Sequence, residues 1–177
     1  TFTVAKEGYL AGNFAIDQQT NPKPEDWQFG AVETININGV MVGDIDAATK
    51  TMATYKVAVN IIGEQIENSD WGYPSTSYYA PAVNGTIDTR GAVAIKAGKY
   101  VKWNSDDNRL ATLYGGITAE DAITVEGYAE IYGNIESTKA TVALKGHVIV
   151  NGDVKAEGNI GVTEQAKVDG SQIRSAK

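Results

Sequence analysis

Residues 123–136 constrain this chain more than any other stretch. The odd positions are Ile123, Val125, Gly127, Ala129, Ile131, Gly133 and Ile135; the even ones are Thr124, Glu126, Tyr128, Glu130, Tyr132, Asn134 and Glu136. Successive side chains of a strand point to opposite faces, so a period of two held this long sets one face on a core and the other in water. A helix would scatter the same residues around its circumference. The pattern recurs in Ala140, Val142, Leu144, Val148 and Val150 around Gly146, in Ala53, Tyr55, Val57, Val59 and Ile61, and in Ile35, Ile37, Met41 and Ile45. Weaker strands are expected at 1–5, 92–96, 99–103 and 110–114. Asn38-Gly39, Asn84-Gly85 and Asn151-Gly152 read as hairpin or bulge signals. Helical signal is confined to 118–122, where Thr118 could cap a short turn. The chain is expected to be all-β.

Four segments resemble one another: EGYLAGNF (7–14), NGVMVGDI (38–45), EGYAEIYGNI (126–135) and NGDVKAEGNI (151–160). Each carries two glycines and then Asn or Asp before an apolar residue. Aligned on Gly8, Gly39, Gly127 and Gly152, they are 31, 88 and 25 residues apart. A solenoid stacks units of fixed length, so these spacings favour a β-sandwich or jelly-roll-like domain, a single one over residues 1–177. The glycine-bearing runs VEGYAEIYGNIE and VNGDVKAEGNI also resemble bactofilin-like β-helix filaments, which supply the alternative fold. Residues 163–177 read as a polar tail ordered only by a neighbour.

The net charge of −7 opposes binding to phosphate backbones and argues against a nucleic-acid partner. With no cysteine, stability has to come from the sheet, from ions or from association. The longest apolar run, 57–62, is interrupted by Asn60 and falls far below the roughly 20 residues of a spanning helix. The start at Thr1, without methionine, is read as the processed end of an extracellular protein.

Catalytic chemistry finds little footing. His147 is the only histidine, it lies in an expected strand, and no nucleophile-elbow, zinc-protease or phosphate-loop pattern occurs; the chain is read as not an enzyme. Calcium takes six to eight oxygens, which acidic turns at strand ends supply. The candidate ligands are Asp44, Asp46, Asp70, Asp88, Asp106, Asp107, Glu120 and Asp121, with Asp153 beside another turn. Two stretches break the strand pattern, 18–27 and 68–81. The second carries Trp71, Tyr73, Tyr78 and Tyr79, residue types common at protein interfaces and able to stack on sugars. Asn84-Gly85-Thr86 is a glycosylation sequon, placed at a turn.

The runs TFTVAKEGYLAGNF and ININGVMVGDID resemble the tube-forming cannula proteins of hyperthermophilic archaea. That resemblance implies a secreted jelly-roll-like subunit, calcium-dependent homopolymerisation, and a strand donated from one subunit to the next. Thr1, Phe2, Thr3, Val4 and Ala5 would form the donor strand, adding to an unpaired sheet edge of a neighbour. A head-to-tail contact of this kind builds filaments or tubes. A carbohydrate-binding or adhesive module is the competing expectation, carried by the aromatic stretch.

Overall fold

The computed structural model describes residues 1–15, 34–48, 56–63, 65–68, 75–78, 80–97 and 111–176. Within them every element is a strand, and the strands follow one another in coils. Coil 1 holds β1 (Phe2–Val4), β2 (Tyr9–Ala11) and β3 (Phe14–Ala15); coil 2 holds β4 (Thr34–Ile37), β5 (Val40–Val42) and β6 (Ile45–Ala47). Coil 3 begins with β7 (Ala58–Ile62), passes through an inserted pair, β8 (Gln65–Asn68) and β9 (Ser75–Tyr78), and ends with β10 (Ala82–Asn84) and β11 (Ile87–Thr89). Coil 4 holds β12 (Val93–Ala97), β13 (Ala111–Tyr114) and β14 (Ile117–Ala119). Coil 5 holds β15 (Ile123–Tyr132) and β16 (Ile135–Ser137), and coil 6 β17 (Val142–Val150) and β18 (Val154–Ala156). Coil 7 closes the described chain with β19 (Ile160–Thr163), β20 (Lys167–Val168) and β21 (Ile173–Ser175).

Each strand pairs in parallel with its counterparts in the coils before and after it, giving three faces. Face 1 runs β1-β4-β7-β12 and on through the first halves of β15 and β17 to β19. Face 2 runs β2-β5-β10-β13 through their second halves to β20. Face 3 runs β3-β6-β11-β14-β16-β18-β21. Faces 1 and 2 are continuous because β15 and β17 bend between them, at Gly127 (φ 80°) and Gly146 (φ 95°), a backbone region that glycine enters without steric cost. Among the described strands only β8 and β9 pair antiparallel.

This overturns the expected β-sandwich or jelly roll: the sheets are parallel, and the molecule is a three-faced β-solenoid. Clean alternation normally signals antiparallel strands, because parallel sheets are usually covered on both faces. In a solenoid the outer side of each parallel face stays in water, so the same alternation appears. Inward residues stack in columns. On face 3 the column Ile45, Ile87, Ile117, Ile135 and Val154 is buried throughout, with Phe14 packed against it at one end. Face 1 contributes Ile35, Val59, Val93, Ile123 and Val142, and face 2 Met41, Val83, Leu113, Ile131 and Val150. Burying one such side chain stabilises by about 1.5–3 kcal/mol, and the column arrangement repeats that gain in every coil.

Gly8, Gly39, Gly127 and Gly152 show no fixed spacing because they belong to two kinds of corner. Gly12, Gly43, Gly85, Gly115, Gly133, Gly152 and Gly170 form one ladder at the corner from face 2 to face 3, each close to the backbone of the one before. Gly8, Gly39 and Gly127 belong instead to the corner from face 1 to face 2. On the true ladder Gly115, Gly133, Gly152 and Gly170 follow at 18, 19 and 18 residues. The earlier spacings are stretched by the segments 16–33, 49–55, 64–79 and 98–110, which the coils carry between strands.

Other expectations change with the fold. The Asn-Gly pairs are corners within a coil, not hairpins. Thr118 lies in β14, followed by a bend at 120–121 where a helical turn was expected. Residues 163–176 are no loose tail: they supply β20 and β21 and pair with β17 and β18. The donor strand is also corrected. β1 pairs with β4 of its own chain, Phe2 opposite Ile35 and Val4 opposite Ile37, and Val4 is buried. The stretches 18–27 and 99–103, with Ala53 and Tyr55, lie outside the described residues.

Candidate functional site

Beside the glycine ladder stands a polar one. The Asp44 N–H donates to Asn13 Oδ1 (3.0 Å), and the Thr86 N–H and hydroxyl both donate to Asp44 Oδ1 (2.7 and 2.9 Å). Four coils on, the same construction returns. The Asp153 N–H donates to Asn134 Oδ1 (2.9 Å), and Asp153 Oδ1 accepts from the Ser171 N–H and hydroxyl and from the Gln172 N–H (2.8, 3.0 and 3.0 Å). Gly116 holds the place between the two runs. Donation from Thr86, backbone first and hydroxyl second, keeps the Asp44 carboxyl below the usual carboxylate range. The Ser171 hydroxyl does most to hold Asp153 low. A carboxylate that receives such bonds is favoured in its charged form.

The corner from face 3 to face 1 is tied differently. Hydroxyls of Thr89, Ser137 and Ser175 donate to the carbonyls of Val57, Asp121 and Gly158, each one turn earlier in the same strip of backbone. Alanine takes this place in the intervening coils, at Ala47, Ala119 and Ala156. Outside the corner, Glu120 accepts from Arg90 (2.9 Å) and Lys139 (2.9 Å), and Lys56 pairs with Asp121. Arg90, then Lys139, hold the Glu120 carboxyl down at about 2.

The candidate calcium ligands therefore divide. Asp44 is the acceptor of the corner ladder, Glu120 and Asp121 are salt-bridged, and Asp46 accepts from the Ala48 N–H while standing beside Asp88 in register on the outside of face 3. The structure does not bring these groups to one point: among the described residues no three His, Cys, Asp or Glu side chains are placed to hold a metal ion. Asp70, Asp106 and Asp107 lie outside the described residues, as do Trp71, Tyr73 and Tyr79. Tyr78 ends β9, opposite Gln65.

The described aromatic groups form stacks. Tyr114 and Tyr132 lie on the outside of face 2 with ring centroids 5.0 Å apart and planes within 10°; Tyr128 and His147 stack at 4.4 Å and 7° at its margin. Each of these rings turns one face to its partner. His147 is thus an exposed strand residue with an aromatic neighbour. Glu130 hydrogen-bonds Tyr132 and raises its phenol pKa, and Asn151 donates to Glu130 (3.3 Å). Asn84 is exposed on the same face, and Thr86 of its sequon is engaged with Asp44.

The two outermost described coils carry the features that sequence reasoning missed. At one end Phe2, Leu10 and Phe14 are only partly buried, with the two phenylalanine rings 4.7 Å apart. At the other, Val162 and Ile173 are 39% and 55% exposed although their counterparts one coil inward, Leu144 and Val154, are fully buried. β1, β2 and β3, and likewise β19, β20 and β21, each pair on one side only among the described strands. The signal was present in the sequence as Gly-polar-apolar, which places Phe14 in the same column as Ile45. No known protein family, curated protein or solved structure matches the chain.

Proposed function

We propose that this chain is an extracellular structural subunit that assembles with copies of itself by stacking solenoids end to end into filaments. The observation that carries the reading is the pair of outermost described coils, whose inward apolar residues are partly exposed and whose strands pair on one side only among the described strands. An unpaired sheet edge is a template for another strand. A coil of the same kind continues every column it meets. The two ends differ, so the contact is head-to-tail and grows without closing. In this it follows the bactofilin-like reading and departs from strand donation. Calcium acts between subunits, reducing the repulsion that a charge of −7 brings to each contact, and the chain has no catalytic role.

Sedimentation velocity and negative-stain microscopy, with calcium and with a chelator, test the proposal. Filaments are expected with calcium, fewer or shorter ones with chelator. Ile173→Glu puts a charge on the exposed end and should leave monomers with an unchanged thermal midpoint. A wild-type chain that stays monomeric at every concentration overturns end stacking; filaments indifferent to chelator overturn the role of calcium alone.

A second reading rests on the β8–β9 pair, which the solenoid carries at the corner from face 1 to face 2, and on the aromatic residues that the sequence holds around Trp71. Trp71 and its neighbours in sequence would then make an adhesive or glycan contact. A glycan array should show binding that Trp71→Ala removes; equal signal from both proteins, or none from either, contradicts it.

A further inference from the structure

Charge is concentrated on the outer side of face 3, which shows Asp46, Asp88, Glu136, Lys155 and Arg174 in five of its rungs. Face 1 shows Lys96, Glu126 and Lys145 in coils 4 to 6 and no charged residue in coils 2 and 3, where Asn36 and Asn60 are outward. Face 2 carries Val40 and Val42 in coil 2, Ala82 and Asn84 in coil 3, and Thr112 and Tyr114 in coil 4, with no charged group in these rungs. Charge appears on it at Glu130, already bonded to Asn151 and Tyr132, and at Lys167, paired with Asp169 at 2.8 Å. Of the large apolar side chains exposed along the solenoid, Tyr9, Tyr114 and Tyr132 are on this face, at 68%, 53% and 42%. Faces 1 and 2 are both poor in charge beside face 3, and tyrosine enrichment, a compositional mark of protein interfaces, sets face 2 apart.

We infer that face 2 is a lateral contact between filaments, meeting face 2 of a second copy that runs in the same direction. The inference rests on end-to-end stacking, and the geometry of the face supports it. Its outward residues form two columns, one through Val40, Thr112 and Glu130 and the other through Val42, Tyr114 and Tyr132. A two-fold axis parallel to the solenoid sets each column against the other, like coil against like coil. Val40 then meets Val42, Thr112 meets Tyr114, and the Glu130 carboxylate meets the Tyr132 phenol. The same symmetry keeps both filaments pointing one way, as head-to-tail growth requires.

Size decides when the contact forms. Seven coils at about 4.8 Å and roughly 10 Å of strand width give on the order of 350 Å² per copy. Two copies would bury about 700 Å², short of the roughly 1,200 Å² at which specific complexes become stable. Single subunits should therefore not dimerise through face 2. Filaments should pair, because stacking repeats the contact along a rigid line and later contacts are effectively intramolecular.

The test compares wild type with Val42→Lys/Tyr114→Lys, both positions on the outside of face 2, and with Thr118→Lys on face 3 as a control for added charge. Thermal melts establish that all three fold alike. Wild-type and Thr118→Lys filaments should lie in pairs, and the double variant should give single filaments of half the width. Double-variant filaments that stay paired, or wild-type filaments that are single, overturn the lateral contact and leave end stacking standing. If wild type forms no filaments, end stacking fails, and the lateral contact with it.

Discussion

At the scale of single residues the corners carry the tightest constraint. A Cβ on Gly133 would fall on the carbonyl of Gly115, whereas one on Gly161 would meet nothing within 4 Å. Overpacking of that kind costs about 1–3 kcal/mol or more, and an unobstructed surface change stays within about 0.5 kcal/mol. Urea melts should therefore show Gly133→Ala destabilised by at least ~2 kcal/mol and Gly161→Ala unchanged; equal midpoints would contradict the ladder. Acid acts on both kinds of polar corner. Glu120, Asp44 and Asp153 all have folded carboxyls below their ordinary values. Their contribution is complete above the unfolded carboxylate range near 4 and is lost as pH falls through the folded values, which for Glu120 is about 2. Urea midpoints should thus fall between about pH 4.5 and pH 2, and Glu120→Gln should make that fall shallower. A midpoint flat over this interval would show that these carboxylates do not support the fold.

At the scale of elements, strand positions were legible and strand partners were not. Alternation located the inward residues of β15 and β17 correctly from Ile123 to Val150, because a side chain's face depends only on local geometry. Pairing direction was misleading in that pattern, because an outer face left in water gives parallel strands the alternation usual for antiparallel ones. The repeat was obscured by the segments carried at the corners, and NGDVKAEGNI was aligned on Gly152 where it should have met the second glycine of the other three. The Asn or Asp that follows the second glycine of the repeated segments marked Asn13, Asp44 and Asn134, but the ladder joining Asp44 to Asn13 and Thr86 depends on coils 31 and 42 residues apart. The β8–β9 pair is an insertion by this account, since coils 5 and 6 turn the same corner at Gly127 and Gly146 alone. Replacing residues 64–79 by a short glycine-containing turn should leave far-UV circular dichroism and the thermal midpoint within a few degrees of wild type. Loss of cooperative melting would mean that the hairpin is part of the solenoid's support.

At the scale of the whole molecule, the described solenoid has a direction, unlike outermost coils and three unlike faces. Each coil contacts mainly its neighbours, so adding a coil to an end costs no rearrangement within the stack. The central claim is that assembly continues this stack along the solenoid axis. Fibre diffraction from aligned assemblies tests it most directly. Strands crossing the filament axis should give a reflection near 4.8 Å on the meridian; the same reflection on the equator would contradict the account.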